Sequence, residues 1–369
     1  MLSTIELESY RGFEHYRLGG LARVNLLVGK NNCGKTSVLE AVHFLASAGS
    51  PEVLAETARL RGEIVLGPET REPYSRRWRA DISHFFHGHQ FGRGAYFRVS
   101  TDQGLGRLAV RVVDLDLHSP LLLQNPEEAP PALAIRIEIP GDSDARAIPD
   151  LPVTAEGVLS PDILRRVVPA LVTDRQRAPS VQFISPDSLE PRSMSAMWDR
   201  VIKDARESEV IRAVKILEPD IANIFFLSGD PSYRAGGRAG VLVAFEGTRR
   251  RHPLGSYGEG MRRLLALSLS LIQAEGGILL VDEIDTGLHY SIMGDMWRLV
   301  VEGAKQANVQ VFATTHSLDC VRGLAWLCEN YPSLRPELSI QKIECELEEA
   351  VALHADRITL AVEQDMEVR

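Results

Sequence analysis

Residues 29–36 read Gly-Lys-Asn-Asn-Cys-Gly-Lys-Thr, a G-x-x-x-x-G-K-[ST] pattern that constrains the fold more than any other stretch of the chain. Upstream, Val24 to Val28 is a short apolar run of buried-strand type. Downstream, Val38, Leu39, Ala41, Val42, Phe44 and Leu45 recur at helical spacing through Ala46. Strand, glycine loop and helix in that order make a phosphate-binding loop. Gly29 and Gly34 let the backbone curl so that its N–H groups converge on phosphate oxygens, and the new helix adds its positive end. Lys35 is placed to reach the β- and γ-phosphates, and Thr36 to offer its hydroxyl to Mg²⁺. The expected ligands are therefore ATP and Mg²⁺. The loop's nucleotide-binding set is Gly29, Asn31, Asn32, Cys33, Gly34, Lys35, Thr36 and Ser37.

Two further strand ends carry polar groups suited to the same chemistry. Ile278 to Val281 is an apolar run followed by Asp282 and Glu283. With a phosphate loop in the same chain, Asp282 is expected to order the Mg²⁺ shell together with Thr36. Glu283, free of the metal, is expected to polarise the attacking water. Val309 to Thr315 is another buried strand, and His316 at its end is expected beside the γ-phosphate, where an imidazole can donate a hydrogen bond. Glu283 and His316 are the candidate catalytic residues. Earlier in the chain, Ser256-Tyr257-Gly258-Glu259-Gly260-Met261-Arg262-Arg263 opens an apolar helix from Leu264 to Ile272. Glycines at a helix start leave N–H donors uncovered, which suits an anion.

Phosphate loop, glycine signature, Asp-Glu and His follow one another in the order of the ATP-binding-cassette ATPases, and the chain resembles the SMC/RecF/OLD (overcoming-lysogenisation-defect) branch of that group. It is more closely similar to the stand-alone AAA or AbiEii-type ATPases, many of them from bacteriophage-defence systems. The stretches Ile5 to Phe13, Lys35 to Ala41 and Asp282 to His289 carry this resemblance. It implies an α/β P-loop NTPase fold of ABC-ATPase type, in which Gly258 and Gly260 reach the γ-phosphate held by a second copy, and it adds Arg11 to the nucleotide-binding set. The pattern departs from that of transporters. Gly258 stands at the signature serine position, with Ser256 two residues earlier, and His289 replaces the usual aspartate after Asp285-Thr286-Gly287-Leu288. Gln182 is the nearest candidate for a Q-loop glutamine, although the loop proper would be 185–188; that assignment stays open.

Composition and charge narrow the partners. The chain has 369 residues, 44% of them hydrophobic and 25% charged, which suits a globular protein of two lobes. No apolar run is long enough to span a bilayer, and the N-terminus reads as a strand, so a cytoplasmic location without membrane is expected. Cys33, Cys320, Cys328 and Cys345 show no C-x-x-C pairing and are expected to be reduced thiols, with Cys33 exposed to blockage inside the loop. A net charge of −9 argues against a generally basic nucleic-acid surface. Local exceptions are Arg71, Arg76, Arg77 and Arg79 around Tyr74 and Trp78, and the run Arg249 to Arg251. His84, His87 and His89 lack the spacing and acidic partners of a metal site, and solvated loops are the simpler reading of both arginine groups.

Residues 1–50 and 175–369 are expected to form the ATPase core. Residues 51–174 are expected to form an inserted, mainly antiparallel β lobe, with a short helical segment at 188–222. Arg107 to Val113 and Leu133 to Ile139 alternate with period two. Glu344, Glu346, Glu348 and Glu349 read as a solvated strand, and Thr359 to Glu367 as a last helix. OLD-family nucleases carry a TOPRIM domain with clustered acidic ligands after the ATPase, and the stretch after His316 holds no such cluster. The resemblance therefore implies a homodimeric ATPase switch that controls a separately encoded effector, such as a TOPRIM-like nuclease or a toxin, in phage defence. The alternative is a RecF/SMC-like repair ATPase that binds DNA. A transporter subunit ranks third, disfavoured by the long stretch between Thr36 and Ser256 and by the Arg11-Gly12-Phe13 start.

Overall fold

In the computed structural model, the described residues are 1–66, 78–116, 132–139, 148–172, 179–187, 189, 191–227, 240–355 and 357–358. The first half of the chain runs β1 (Ile5–Tyr10), β2 (Phe13–Leu18), β3 (Val24–Val28), α1 (Lys35–Ala46), α2 (Pro51–Leu60), β4 (Ile64–Leu66) and β5 (Trp78–Asp81). It continues with β6 (Tyr96–Thr101), β7 (Arg107–Asp114), β8 (Leu133–Glu138), β9 (Leu151–Val153), β10 (Val158–Leu159) and α3 (Pro161–Val172). There follow β11 (Val181–Ile184), α4 (Pro191–Lys203), α5 (Glu207–Val214), β12 (Ile221–Leu227), β13 (Gly240–Phe245) and β14 (Arg251–Pro253). The site-bearing part holds α6 (Glu259–Gln273), β15 (Ile278–Val281), α7 (Met293–Gln306), β16 (Gln310–Thr314), α8 (Leu318–Asn330), β17 (Leu338–Lys342) and β18 (Val351–His354).

Six of these strands form one sheet in the order β11-β15-β16-β3-β17-β18, parallel throughout except for β18. Every residue of β3, β15 and β16 is buried. That is why these strands read as unbroken apolar runs instead of alternating ones: both faces are covered. Register then assembles the site. Val281 pairs with Ala313 and Thr314 with Leu27, so the phosphate loop, Asp282-Glu283 and Thr315-His316 all leave the sheet at one edge. Ligand sites of open parallel sheets lie at this carboxyl edge.

The other large sheet has nine strands, all pairs antiparallel, in the order β2-β1-β6-β7-β8-β9-β10-β5-β4. Helix α1 lies between the two sheets. Its Val38, Leu39, Val42 and Phe44 share one core with Leu7, Phe97 and Val110 on one side and Leu280 and Phe312 on the other. A second core joins the far face of the parallel sheet to α6, α7 and α8, and a third packs α4, α5 and α6 on the small sheet β12-β13-β14.

Several expectations need correction. The antiparallel sheet is not confined to 51–174, because β1 pairs with β6 and brings residues 5–18 into it. A boundary at residue 50 cuts that sheet. Helices α2 and α3 lie where strand and turn were expected; Pro51 at the first turn of α2 supplies the fixed φ that helix entry favours. The acidic stretch 344–349 is a turn between β17 and β18, tied to β2 by the bond from Arg17 N–H to the carbonyl of Glu348 at 2.9 Å. The expected helix Thr359 to Glu367 lies outside the described residues. No helix among the described residues is long and apolar enough to cross a membrane.

Candidate nucleotide site

The phosphate loop is held in a shape that only small residues permit. Gly29 has φ +141° and Gly34 φ +95°. A Cβ on Gly34 would overlap the Phe13 ring, and one on Gly29 would meet the carbonyl of Ile343. Gly34 caps α1 and no side chain bonds to the first turn of the helix, which leaves its N–H donors for an anion. The Lys35 side chain is 4% exposed, and Nζ donates to the carbonyls of Gly29 at 2.7 Å and Lys30 at 2.9 Å. Burial pulls its pKa below the ordinary lysine value. A buried ammonium that leans on carbonyls is short of negative charge, and a polyphosphate would supply it.

Four residues, one from the start of α1 and three from the ends of two strands, are joined in sequence. The Thr36 hydroxyl donates to both carboxylate oxygens of Asp282, at 3.1 and 3.2 Å. Thr314 donates to Asp282 Oδ1 at 2.6 Å and accepts from the Glu283 N–H at 2.8 Å. Hard oxygen donors that meet in this way fit Mg²⁺. Glu283 itself has φ +48°, a left-handed conformation that a long side chain adopts only when its surroundings enforce it. Its carboxylate is about half exposed, lies 3.8 Å from His316 Nε2 and accepts from Thr286 Oγ1 at 3.4 Å. The backbone is fixed and the carboxylate stays half open to solvent, an arrangement that suits a general base.

The glycine signature opens where the sequence places it. Helix α6 starts at Glu259, and Gly258 is its N-cap at φ +86° with no side-chain cap. A side chain there would meet no atom within 4 Å, so the space around it is open. Gly260 is different: a Cβ would stand 2.8 Å from the carbonyl of Gly287. Its lack of a side chain is explained within this chain, by close packing of α6 on the turn after Glu283.

Other candidates move or drop out. Arg11 is withdrawn from the nucleotide set. Its guanidinium is 6% exposed and engaged by Glu40 at 2.8 Å and Glu63 at 2.7 Å, over the Phe85 ring at 4.3 Å. The Ser37 hydroxyl accepts from Arg61 Nη2 at 3.2 Å. Gln182 lies within β11, and Ser188 of the loop beyond it is outside the described residues. His84 and His89 meet through Nδ1 at 2.9 Å, while His87 turns to the carbonyl of Arg11 at 3.0 Å. Of the first arginine group, Arg71, Tyr74, Arg76 and Arg77 lie outside the described residues. Arg251 stacks on Phe225 at 3.9 Å.

With this geometry established, known proteins give it a place. The family described as "AAA domain, putative AbiEii toxin, Type IV TA system" matches residues 159–319. A protein named ATP/GTP phosphatase from Helicobacter pylori is 20% identical over 338 residues, which cover 87% of this chain and 86% of that one. The chain is a P-loop ATPase. The ATPase is also 41% identical to a DNA replication and repair protein RecF from Bacillus mycoides, over 49 residues that span 13% of each chain. A solved Smc head domain from Pyrococcus furiosus, bound to the C-terminal domain of ScpA, aligns with 99% of each chain at 10% identity and a TM-score of 0.44.

One residue that positions the ATPase's site escaped the sequence reading. Arg263, in the first turn of α6, is fully buried, and its guanidinium donates to four carbonyls: Asp282 at 2.6 Å, Glu283 at 2.7 Å, Ser185 at 2.7 Å and Ile284 at 3.4 Å. Burial pulls its pKa down to about 10. The second arginine after a glycine pair was the available signal. Spacing alone does not mark it, because a charged side chain at a helix start is ordinarily solvated.

Proposed function

We propose that this ATPase is a nucleotide-driven switch. Lys35 and the loop amides would hold the β- and γ-phosphates, and Thr36 and Asp282 would hold Mg²⁺, which when bound offsets phosphate charge. Glu283 accepts a proton from the attacking water, and His316 donates a hydrogen bond toward the γ-phosphate. The observation that supports this reading is the linked path Thr36–Asp282–Thr314–Glu283, which gathers two hydroxyls, a buried carboxylate and a half-exposed one at one sheet edge.

Two copies would enclose two nucleotides, each site completed by the other copy's uncapped α6 N-terminus at Gly258. A switch transmits a signal only through differential affinity of its open and closed forms for a partner. The partner we infer is a separately encoded effector, a nuclease or toxin of a defence system. The description of the matching family, with its toxin and toxin–antitoxin terms, supports this reading, as does the net charge of −9. The ATPase core would comprise the parallel sheet with α1, α6, α7 and α8, and the antiparallel sheet, which β1 and β2 join, would offer the partner surface. The location would be cytoplasmic.

A second reading, a DNA clamp, draws on the RecF likeness. Gel-shift titration of duplex DNA with the Glu283→Gln variant and ATP, at two salt concentrations, separates the two. The switch reading expects no tight binding by the chain alone. Submicromolar, salt-sensitive binding would favour the clamp.

A further inference from the structure

Two of the four thiols lie at the phosphate loop, one within it and one against its backbone. Cys33, inside the loop, is 3% exposed, with Sγ 3.9 Å from the Lys35 ammonium. Cys345 is exposed in the turn after β17, and its Sγ lies 3.9 Å from the carbonyl oxygen of Asn32, the residue before Cys33. Two bonds moor this turn, one to the loop's base and one to β2. Ile343 N–H donates to the carbonyl of Val28 at 2.8 Å, and Glu344 N–H to the Tyr16 hydroxyl at 3.3 Å. Burial raises the Tyr16 phenol and the Cys33 thiol, and Cys345 adds a smaller contribution to each. An exposed thiol near the chain's C-terminal strands thus sits one peptide unit from a buried thiol in the loop. Cys320 and Cys328 lie buried in α8, away from this cluster.

We propose that Cys33 and Cys345 form a reversible disulfide that closes the phosphate loop to nucleotide, with a hydroperoxide as the oxidant. The effect on nucleotide rests on the reading of the loop given above. Cys345, the exposed partner, reacts first: its sulfur attacks the peroxide, the O–O bond breaks, and Cys345 sulfenic acid and an alcohol (or water) result. Cys33 then attacks the Cys345 sulfur, the S–O bond breaks, and water leaves with the Cys33 proton. Two thiols and one hydroperoxide become a disulfide, an alcohol and water. Burial pushes the Cys33 thiol up, which protects it from direct oxidation, while the Lys35 ammonium favours its thiolate during the second step.

A disulfide holds its two Cα atoms within about 4.4–6.8 Å. The bond would draw the 343–345 turn onto the loop, where Gly29 already abuts the carbonyl of Ile343 and the Cys33 sulfur. The loop amides could not then open around phosphate.

The test uses the full chain before and after hydrogen peroxide. Digestion under non-reducing conditions, followed by mass spectrometry, should show a Cys33–Cys345 linked peptide. Binding of a fluorescent ATP analogue should fall at least tenfold and return with dithiothreitol. Cys345→Ser should bind normally before and after peroxide. Absence of the linked peptide, or equal loss of binding in Cys345→Ser, would overturn the proposal; so would a linked peptide with unchanged binding. If the untreated parent binds no nucleotide, the reading of the loop fails, and the linked peptide alone still decides whether the disulfide forms.

Discussion

Arg263 Nη2 donates to the main-chain carbonyl of Asp282 at 2.6 Å, so the start of α6 is bonded directly to the end of β15, whose Asp282 carboxylate is proposed to hold Mg²⁺. The same nitrogen reaches the carbonyl of Glu283 at 2.7 Å, where φ is +48°. Movement of α6 cannot leave Glu283 in place. On the proposed function, this joint would carry the occupancy of the α6 N-terminus to Glu283.

Replacing Arg263 tests that joint. Arg263→Leu strips several buried carbonyls of their donor and should lower stability by about 3 kcal/mol. Arg263→Lys keeps the charge and loses the fork, so it should recover part of the stability but little of the turnover. Urea titration and phosphate release, measured on both variants, check the two effects separately. Parental turnover in Arg263→Lys would remove the residue from a positioning role.

Arg11 gives the opposite expectation. Its guanidinium bridges Glu40 and Glu63 in the interior, so Arg11→Met should cost about 3 kcal/mol of stability by leaving Glu63 without this partner and Glu40 with Arg61 alone. ATP affinity, measured by titration calorimetry well below the unfolding temperature, should stay within twofold. A tenfold loss of affinity in a folded variant would return Arg11 to the nucleotide set.

The interior between the two large sheets sets a pH dependence. His43 of α1 stacks on Phe183 with ring centroids 5.5 Å apart, and burial pulls its pKa from 6.5 to about 4. Between these values the unfolded chain binds more protons than the folded one, so stability rises with pH through that window. It is full above about pH 6.5 and falls as pH drops toward 4, with a total loss on the order of 2–3 kcal/mol. Urea midpoints at pH 7 and pH 5 should differ for the parent and much less for His43→Gln. An equal drop in both would assign the acid sensitivity elsewhere.

Much of this molecule was legible in sequence because its signals were local. The phosphate loop, Asp282-Glu283 and the glycine signature each sit at the end of one apolar element, and the parallel register brings the first two together at one edge. What stayed hidden depends on contacts between distant parts. That β1 joins β6 is a pairing choice that period-two alternation cannot specify. Arg11 resembles a ligand-facing residue in sequence, yet Glu63 lies far along the chain and claims it. Gly260 looks like an anion-binding glycine, and only the close approach of Gly287 shows why it must be small. Arg263 is buried among carbonyls, which no neighbouring residue announces.

A composite site predicts rescue. Gly258→Glu should cut hydrolysis by placing a strained, negatively charged side chain at the uncapped helix start, while a single chain still binds ATP. Lys35→Ala should lose nucleotide binding. In an equal mixture, half of randomly paired dimers hold one intact site, which returns about a quarter of parental activity. No rescue, once mixed dimers are shown to form, would contradict sites shared between two copies.

The account rests most directly on Glu283 as the base. In a single-turnover experiment with radiolabelled ATP, Glu283→Gln should retain label as intact ATP, because an amide does not take a proton from water. Phosphate release should fall at least about a hundredfold. Release at the parental rate would contradict the assignment and, with it, the reading of this sheet edge as a hydrolytic site.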